Sequence, residues 1–237
     1  MRKWFFRSSK SLWCTAVLVA GGSSSRMGGI DKITASFGGM TVLERSAMAL
    51  EQNPLIQELV VVTRQEQMEQ VSLLLKSRGL SKLTMVVPGG STRADSVAAG
   101  LAAASKKTRL VAIHDGARPL VSQKVITDAV KKAEKTGAAA PAIPVKDTIK
   151  AAKDGFVTQT PDRSTLFAVQ TPQVFDIDLL RAAHAKARKD GFALTDDCVA
   201  VERIGGRVAL TPGEERNLKI TTPMDLKLAQ ALWEDIS

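Results

Sequence analysis

The chain of 237 residues contains no Tyr, two Cys, two His, three Trp and seven Phe. With only His114 and His184 available, a histidine metal cluster is excluded. Cys14 and Cys198 lie far apart in the sequence and match no metal or redox spacing. That usage fits a reducing compartment and sets a cytoplasmic expectation. No stretch approaches the roughly 18 unbroken apolar residues of a membrane helix, so no membrane association is expected. Both common phosphate-loop spacings, G-x-x-x-x-G-K-[ST] and G-x-G-x-x-G, are missing. Most of the scarce aromatics sit in the N-terminal segment or in apolar runs, not interleaved with Lys and Arg as a single-strand RNA platform requires.

What is present is an ordinary globular composition, 44% hydrophobic and 24% charged. The formal charge is +9, which by itself admits nucleic acid, membrane surface or anionic metabolites as partners. Arg2, Lys3, Arg7 and Lys10 supply four of those charges within the first ten residues, which contain no acid. Residues 1–14, MRKWFFRSSKSLWC, are therefore set apart as a basic, disordered extension. Their Arg- and Ser-rich, acid-free character also fits a transit peptide to a plastid, as the secondary reading. The fold is expected to occupy residues 15–237.

From Thr15 the chain alternates short apolar runs with helical patterns. Strands are expected at Thr15–Val19, Leu59–Thr63, Leu83–Val87, Leu110–Ile113 and near Ala138–Ile143. Helices are expected at Thr41–Gln52, Gln65–Arg78, Thr92–Ser105, Ser122–Thr136 and Asp176–Lys189, with a last one from Pro223 to about Trp233. Thr41 with Glu44 has capping-box spacing, and Gly79 follows the second helix as a stop. Strands apolar on both faces and alternating with helices imply a three-layer α/β domain, Rossmann-like, with a mostly parallel sheet. Residues 144–171 break the alternation around a Lys153-Asp154-Gly155 turn and read as a hairpin arm leaving the sheet. Two short strands are expected at Arg207–Leu210 and Leu218–Thr221.

In such sheets ligands bind beyond the carboxyl ends of the strands. The unusual residues lie there. After the first strand runs Ala20-Gly21-Gly22-Ser23-Ser24-Ser25-Arg26-Met27-Gly28-Gly29-Ile30-Asp31-Lys32, a loop whose small residues let backbone amides approach a polyphosphate while Arg26 and Lys32 add positive charge. After the fourth stands His114-Asp115-Gly116-Ala117-Arg118-Pro119. A carboxylate there suits Mg²⁺, which takes one or two protein carboxylates plus phosphates and water. The plainer alternative is an Asp115–Arg118 ion pair closing a turn, with His114 a packed residue. After the third strand, Gly89-Gly90-Ser91-Thr92-Arg93-Ala94-Asp95-Ser96 offers backbone groups to a base or ribose, or is simply a good turn and cap.

The ordered set AGGSSSRMGGIDK, GGSTRADSV, IHDGARP, PVKDTIK, TPDR, QTPQVF, LTDD and NLKIT, spread from about Thr15 to the last helix, resembles the 2-C-methyl-D-erythritol 4-phosphate cytidylyltransferases. The resemblance implies transfer of CMP from CTP to the phosphate of methylerythritol phosphate, with release of pyrophosphate and with Mg²⁺ or another divalent cation as cofactor. It makes Arg26 and Lys32 the catalytic pair and Asp115 the metal ligand. It places nucleotide binding at Ala20, Gly21, Gly22, Ser23, Gly90, Ser96 and Asp115. The sugar phosphate falls to Arg118, Thr148, Arg163, Thr171, Thr195 and Lys219. It further implies a homodimer whose residues 144–171 exchange between subunits, so that Thr148 and Arg163 serve the neighbour's site.

The chemistry agrees with that assignment. A substrate phosphate is already an anionic nucleophile, so no Ser/His/Asp set is required and none is evident; the work is alignment and charge neutralisation. The sequence also departs from the family pattern. Ser91 stands where some members carry an acid that reads cytosine, Asp31 precedes Lys32 where many have proline, and Glu214-Glu215-Arg216-Asn217 leaves a second metal carboxylate undefined. Two alternatives are a related ribitol 5-phosphate cytidylyltransferase, which only the sugar-side residues would distinguish, and a non-catalytic basic RNA-binding protein.

Overall fold

The computed structural model describes residues 12–21 and 35–235. Six-residue apolar segments form the parallel centre of an eight-stranded sheet: β1 (Cys14–Val19) lies between β6 (Leu110–Asp115) and β4 (Glu58–Thr63), with β5 (Leu83–Pro88) at the edge. These strands are continuous in hydrophobicity because both faces are covered. Ala16, Leu18, Leu59, Val61 and Ala112 face one core with α1 (Val42–Glu51), α2 (Met68–Ser77) and α4 (Gln123–Thr136). Val17, Val62, Val111 and Ile113 face a second core with α3 (Arg93–Ala103), α5 (Ile177–Lys189) and α6 (Asp197–Arg203). The three layers are thus written in the alternate residues of each strand.

Beyond β6 the sheet becomes mixed. Between β6 and β7 (Ala138–Pro144) runs β11 (Gln173–Asp176), antiparallel to both. Alongside β7 lie β10 (Phe167–Val169), antiparallel, and β12 (Ala209–Pro212), parallel. A small hairpin, β2 (Ser36–Phe37) and β3 (Met40–Thr41), precedes α1 and packs under α7 (Pro223–Glu234) around Phe37 and Ile220.

The helix boundaries follow the local signals. Thr41 caps α1 with Glu44 answering its amide, and Thr92 with Asp95 and Thr222 with Asp225 repeat the same box on α3 and α7. The second helix opens with a 3₁₀ turn at Gln65–Gln67 and ends before Gly79, whose φ is +69°.

Four expectations are corrected. The fold starts before Thr15, since Trp13 O accepts the amides of Arg109 and Leu110 and Cys14 opens β1. Residues 144–171 do not all leave the sheet. Their middle forms an exposed two-stranded hairpin, β8 (Ala151–Lys153) with β9 (Phe156–Gln159), but Phe167–Val169 returns as β10. Leu218–Thr221 is irregular, tied to the Asp115–Arg118 turn by Ile220 N–H to Ala117 O at 2.8 Å, and the strand expected at Arg207–Leu210 is displaced to Ala209–Pro212. Helix α6 and strand β11 were not anticipated.

Candidate active site

The carboxyl ends of β1 and β6 lie side by side, in register from Cys14 with Leu110 to Val19 with Asp115. Ala20 follows, fully buried, its amide donating to Val62 O at 2.7 Å. Gly116 donates to Val19 O at 2.9 Å, and a Cβ there would lie 3.3 Å from that of Ala20, so the two strand ends touch. Gly21 reaches the start of α3, where Ser96 is buried and its hydroxyl donates to Thr92 O. Gly90 packs against Asp95 so closely that a Cβ would stand 2.2 Å from the Asp95 Cβ. Ser91 Oγ donates to Asp95 as well, so the unusual residue of this loop belongs to the cap. Gly22, Ser23, Arg26 and Lys32 lie outside the described residues.

Asp115 is the last residue of β6, not the first of the loop, and is 7% exposed. Three cations surround its carboxylate: Lys219 Nζ at 2.8 Å, Arg93 Nε at 3.5 Å and Arg118 Nε at 3.8 Å. Burial would push this carboxyl up, but the charges of Lys219, Arg93 and Arg118 prevail and hold it well below the usual carboxylate range. The Asp115–Arg118 turn exists too, with Arg118 N–H donating to Asp115 O at 3.0 Å. The turn reading and the site reading describe the same residues. Arg118 is held by Asn217 O at 2.6 Å, yet its buried Nε has no hydrogen-bond partner among the described residues. A buried guanidinium N–H left open beside a cationic cluster is a place for an anion.

Thr171 and His114 support this end of the sheet. Asp115 N–H donates to Thr171 Oγ1 at 3.1 Å, and the same hydroxyl lies 3.0 Å from His114 Nδ1. His114 is completely buried, and burial pulls its imidazole down to about 4, so it is neutral at pH 7. It is a packed, hydrogen-bonded residue. Thr171 opens the cis Thr171-Pro172 bond, and its carbonyl accepts from Asn217 Nδ2 at 2.9 Å. Glu214 is taken up by Ser122 and Arg216.

Asp115, Arg118, Thr171 and Lys219 thus converge, with Ala20 against Gly116 and with Gly21 facing Ser96 alongside. Thr148 and Arg163 do not join them within the chain. They stand exposed on the arm, where Arg163 Nη1 donates to Lys146 O at 2.7 Å. Thr195 is exposed just before α6.

Residues that sequence reading did not assign complete the cluster. Arg93 Nη1 donates to Asp197 Oδ2 at 2.7 Å, so its guanidinium bridges Asp115 and Asp197. His184 Nε2 lies 2.9 Å from Asp197 Oδ1, and Gln173 engages both Asp196 and the Asp197 amide. The available signal was Arg93 in the first turn of α3, at the end where cations are normally disfavoured.

The comparisons with known proteins agree with this geometry. Residues 14–235 match the family model described as 2-C-methyl-D-erythritol 4-phosphate cytidylyltransferase. Curated proteins of that name are similar: the one from Caldanaerobacter subterraneus subsp. tengcongensis is 45% identical over 91% of this chain and 96% of its own. That from Desulforamulus reducens is 46% identical, covering 91% and 94%. Among solved structures, the 4-diphosphocytidyl-2C-methyl-D-erythritol synthase of Anaerococcus prevotii superposes with a TM-score of 0.85 at 30% identity, covering 94% of this chain and 96% of that one. The 2-C-methyl-D-erythritol 4-phosphate cytidylyltransferase of Thermus thermophilus gives 0.76 at 35% identity, covering 92% and 98%. A full-length family match, close relatives and the same sheet together establish that the chain belongs to the 2-C-methyl-D-erythritol 4-phosphate cytidylyltransferase (IspD) family.

Proposed function

We propose that the protein transfers CMP from CTP to 2-C-methyl-D-erythritol 4-phosphate, giving 4-diphosphocytidyl-2-C-methyl-D-erythritol and pyrophosphate. The observation that carries the reading is the cluster at the ends of β1 and β6: one buried carboxylate, Asp115, held by Lys219, Arg93 and Arg118 where the glycine-rich loop begins. An oxygen of the sugar phosphate attacks the α-phosphorus of CTP in line, the bond from that phosphorus to the bridging oxygen breaks, and pyrophosphate leaves with the electron pair. No proton need be removed from the attacking oxygen.

Each residue group has a task. The amides after Ala20 and Gly21, with Gly22 and Ser23, cradle the triphosphate, and Gly90 and Ser96 shape the nucleotide side. Arg26 and Lys32 offset the charge that builds on the α-phosphate and the leaving group. Arg118, Thr171, Thr195 and Lys219 hold the methylerythritol phosphate, and Arg118 Nε, which faces Asp115 at 3.8 Å but makes no hydrogen bond among the described residues, keeps its N–H for it. A divalent cation, Mg²⁺ by preference, would neutralise the phosphates of CTP when bound. Asp115 suits it, because such an ion needs only one protein carboxylate when nucleotide oxygens and water complete its shell. Among the described residues no group of three or more His, Cys, Asp or Glu could hold a metal without such help.

The active form in this reading is a homodimer in the cytoplasm. The hairpin β8–β9 is exposed along its whole length and carries Phe156, 78% exposed, and Val157, which a partner subunit would cover. That exchange would carry Thr148 and Arg163 to the neighbour's Asp115. Among the described residues, no helix is long and apolar enough to cross a membrane.

The test is pyrophosphate release with CTP and methylerythritol phosphate, repeated with ribitol 5-phosphate and with the other nucleoside triphosphates. Release with the first pair and little with the others is expected; release only with ribitol 5-phosphate would replace the reading with the related enzyme, and none at all would overturn it.

A further inference from the structure

The chain of groups behind Asp115 has no role in the reaction as described, yet it is built with care. Asp197 is 1% exposed and opens α6, 104 residues from Arg93 in sequence. Its two oxygens are spoken for: Oδ2 accepts from Arg93 Nη1 at 2.7 Å and Oδ1 faces His184 Nε2 at 2.9 Å. Gln173, buried on β11 opposite Ile113, uses its carbonyl for the Asp197 amide at 3.1 Å and its amide for Asp196 Oδ2 at 2.9 Å. Strand β11 and helices α5 and α6 therefore combine to seat one carboxylate, and that carboxylate holds one arginine.

Arg93 has two masters. One donor goes to Asp197 in good hydrogen-bond geometry, while its Nε stands 3.5 Å from Asp115 Oδ1, too far for a strong bond. Without Asp197 the guanidinium would be free to close on Asp115 as a two-pronged pair, the geometry it favours with a carboxylate. Asp115 Oδ2 already meets Lys219 Nζ at 2.8 Å, so that closure would occupy its remaining oxygen, Oδ1, as well.

Resting on the function proposed above, we propose that Asp197 is a positioning residue: by drawing Arg93 away from Asp115, it keeps Oδ1, the Asp115 oxygen that Lys219 does not hold, available to the cation-bound nucleotide. His184 and Gln173 serve it by fixing its Oδ1 and its backbone amide.

The effect is to be read at equilibrium, from calorimetric binding of CTP with Mg²⁺ to the full chain without the sugar phosphate, together with the melting temperature. Asp197→Asn keeps the shape and removes the charge. It is expected to weaken binding of CTP with Mg²⁺ by about tenfold or more, with little change in CTP affinity when Mg²⁺ is replaced by a chelator. In an Arg93→Gln background the same substitution is expected to have no further effect, because the route through Arg93 is already gone. A merely structural Asp197 would lower melting temperature and weaken binding equally in both backgrounds, and that additivity would overturn the proposal, as would unchanged binding in Asp197→Asn. Should Asp197→Asn fail to fold, His184→Gln tests the same route, with a smaller loss that again vanishes beside Arg93→Gln; equal losses in both backgrounds, or none, would sink it. Wild-type protein that binds no CTP would instead bring down the functional reading itself.

Discussion

Lys219 Nζ sits 2.8 Å from Asp115 Oδ2, so the irregular segment before α7 is pinned to the end of a central strand by its one conspicuous cation. That pairing explains why Leu218–Thr221 is no strand: its backbone spends Ile220 N–H on Ala117 O, and its side chain at position 219 turns to the site.

Replacing Asp115 with Asn leaves three cations facing one another without their common anion. The expected outcome is a stability loss of about 3 kcal/mol, as for a broken buried pair, with turnover reduced on the order of 10²-fold or more. Denaturant unfolding and pyrophosphate release measure the two separately. An Asn variant as stable and active as the parent would remove Asp115 from the centre of the site.

Arg26→Ala and Lys32→Ala are expected to lower turnover by roughly 10²–10³-fold, the range for loss of one charge-stabilising donor, while circular dichroism and melting stay near the parent. Retention of most activity by either variant would end the role assigned to that residue.

The exchanged arm is tested by mixing chains. An Arg163→Ala chain paired with an Asp115→Asn chain gives a heterodimer in which one site carries both lesions and the other carries neither. Mixtures should recover activity well above either parent alone. If the arm serves its own subunit, each site keeps one lesion and nothing is recovered.

His114 gives a pH signature. Its folded value is depressed to about 4, below the ordinary value of about 6.5. The unfolded chain therefore binds the proton first on acidification. Stability should fall as pH drops from about 6.5 towards 4, at up to about 1.4 kcal/mol per pH unit from this one group. Asp115, also depressed, adds its loss only below the unfolded carboxylate value of about 3.9. NMR titration of the His114 ring checks this: an imidazole charged at pH 6 would contradict the buried, neutral form.

Gly90→Ala places a methyl 2.2 Å from the Asp95 Cβ, which is anchored to the first turn of α3 and cannot swing away. Overpacking of this kind costs about 1–3 kcal/mol, and CTP affinity should fall with it. Unchanged unfolding would show that the third loop shifts more freely than its packing indicates.

Much of this protein was decided locally. Alternating strand faces, the Thr-x-x-Glu and Thr-x-x-Asp caps and the glycine stops are each settled within a few residues, so the strands β1, β4, β5 and β6, their helices and the three-layer architecture could be read from the chain alone. The ordered motifs likewise marked Asp115, Arg118, Thr171 and Lys219. The tertiary structure decided what depends on partners distant in sequence. The QVFD run looks like any short apolar segment until β6 and β7 offer it two antiparallel edges. Asp197 reads as one more charged residue until Arg93, His184 and Gln173 close around it in a space where an unpaired carboxylate could not persist. Residue types foretold which groups could meet phosphate; burial and proximity determined which of them share a charge.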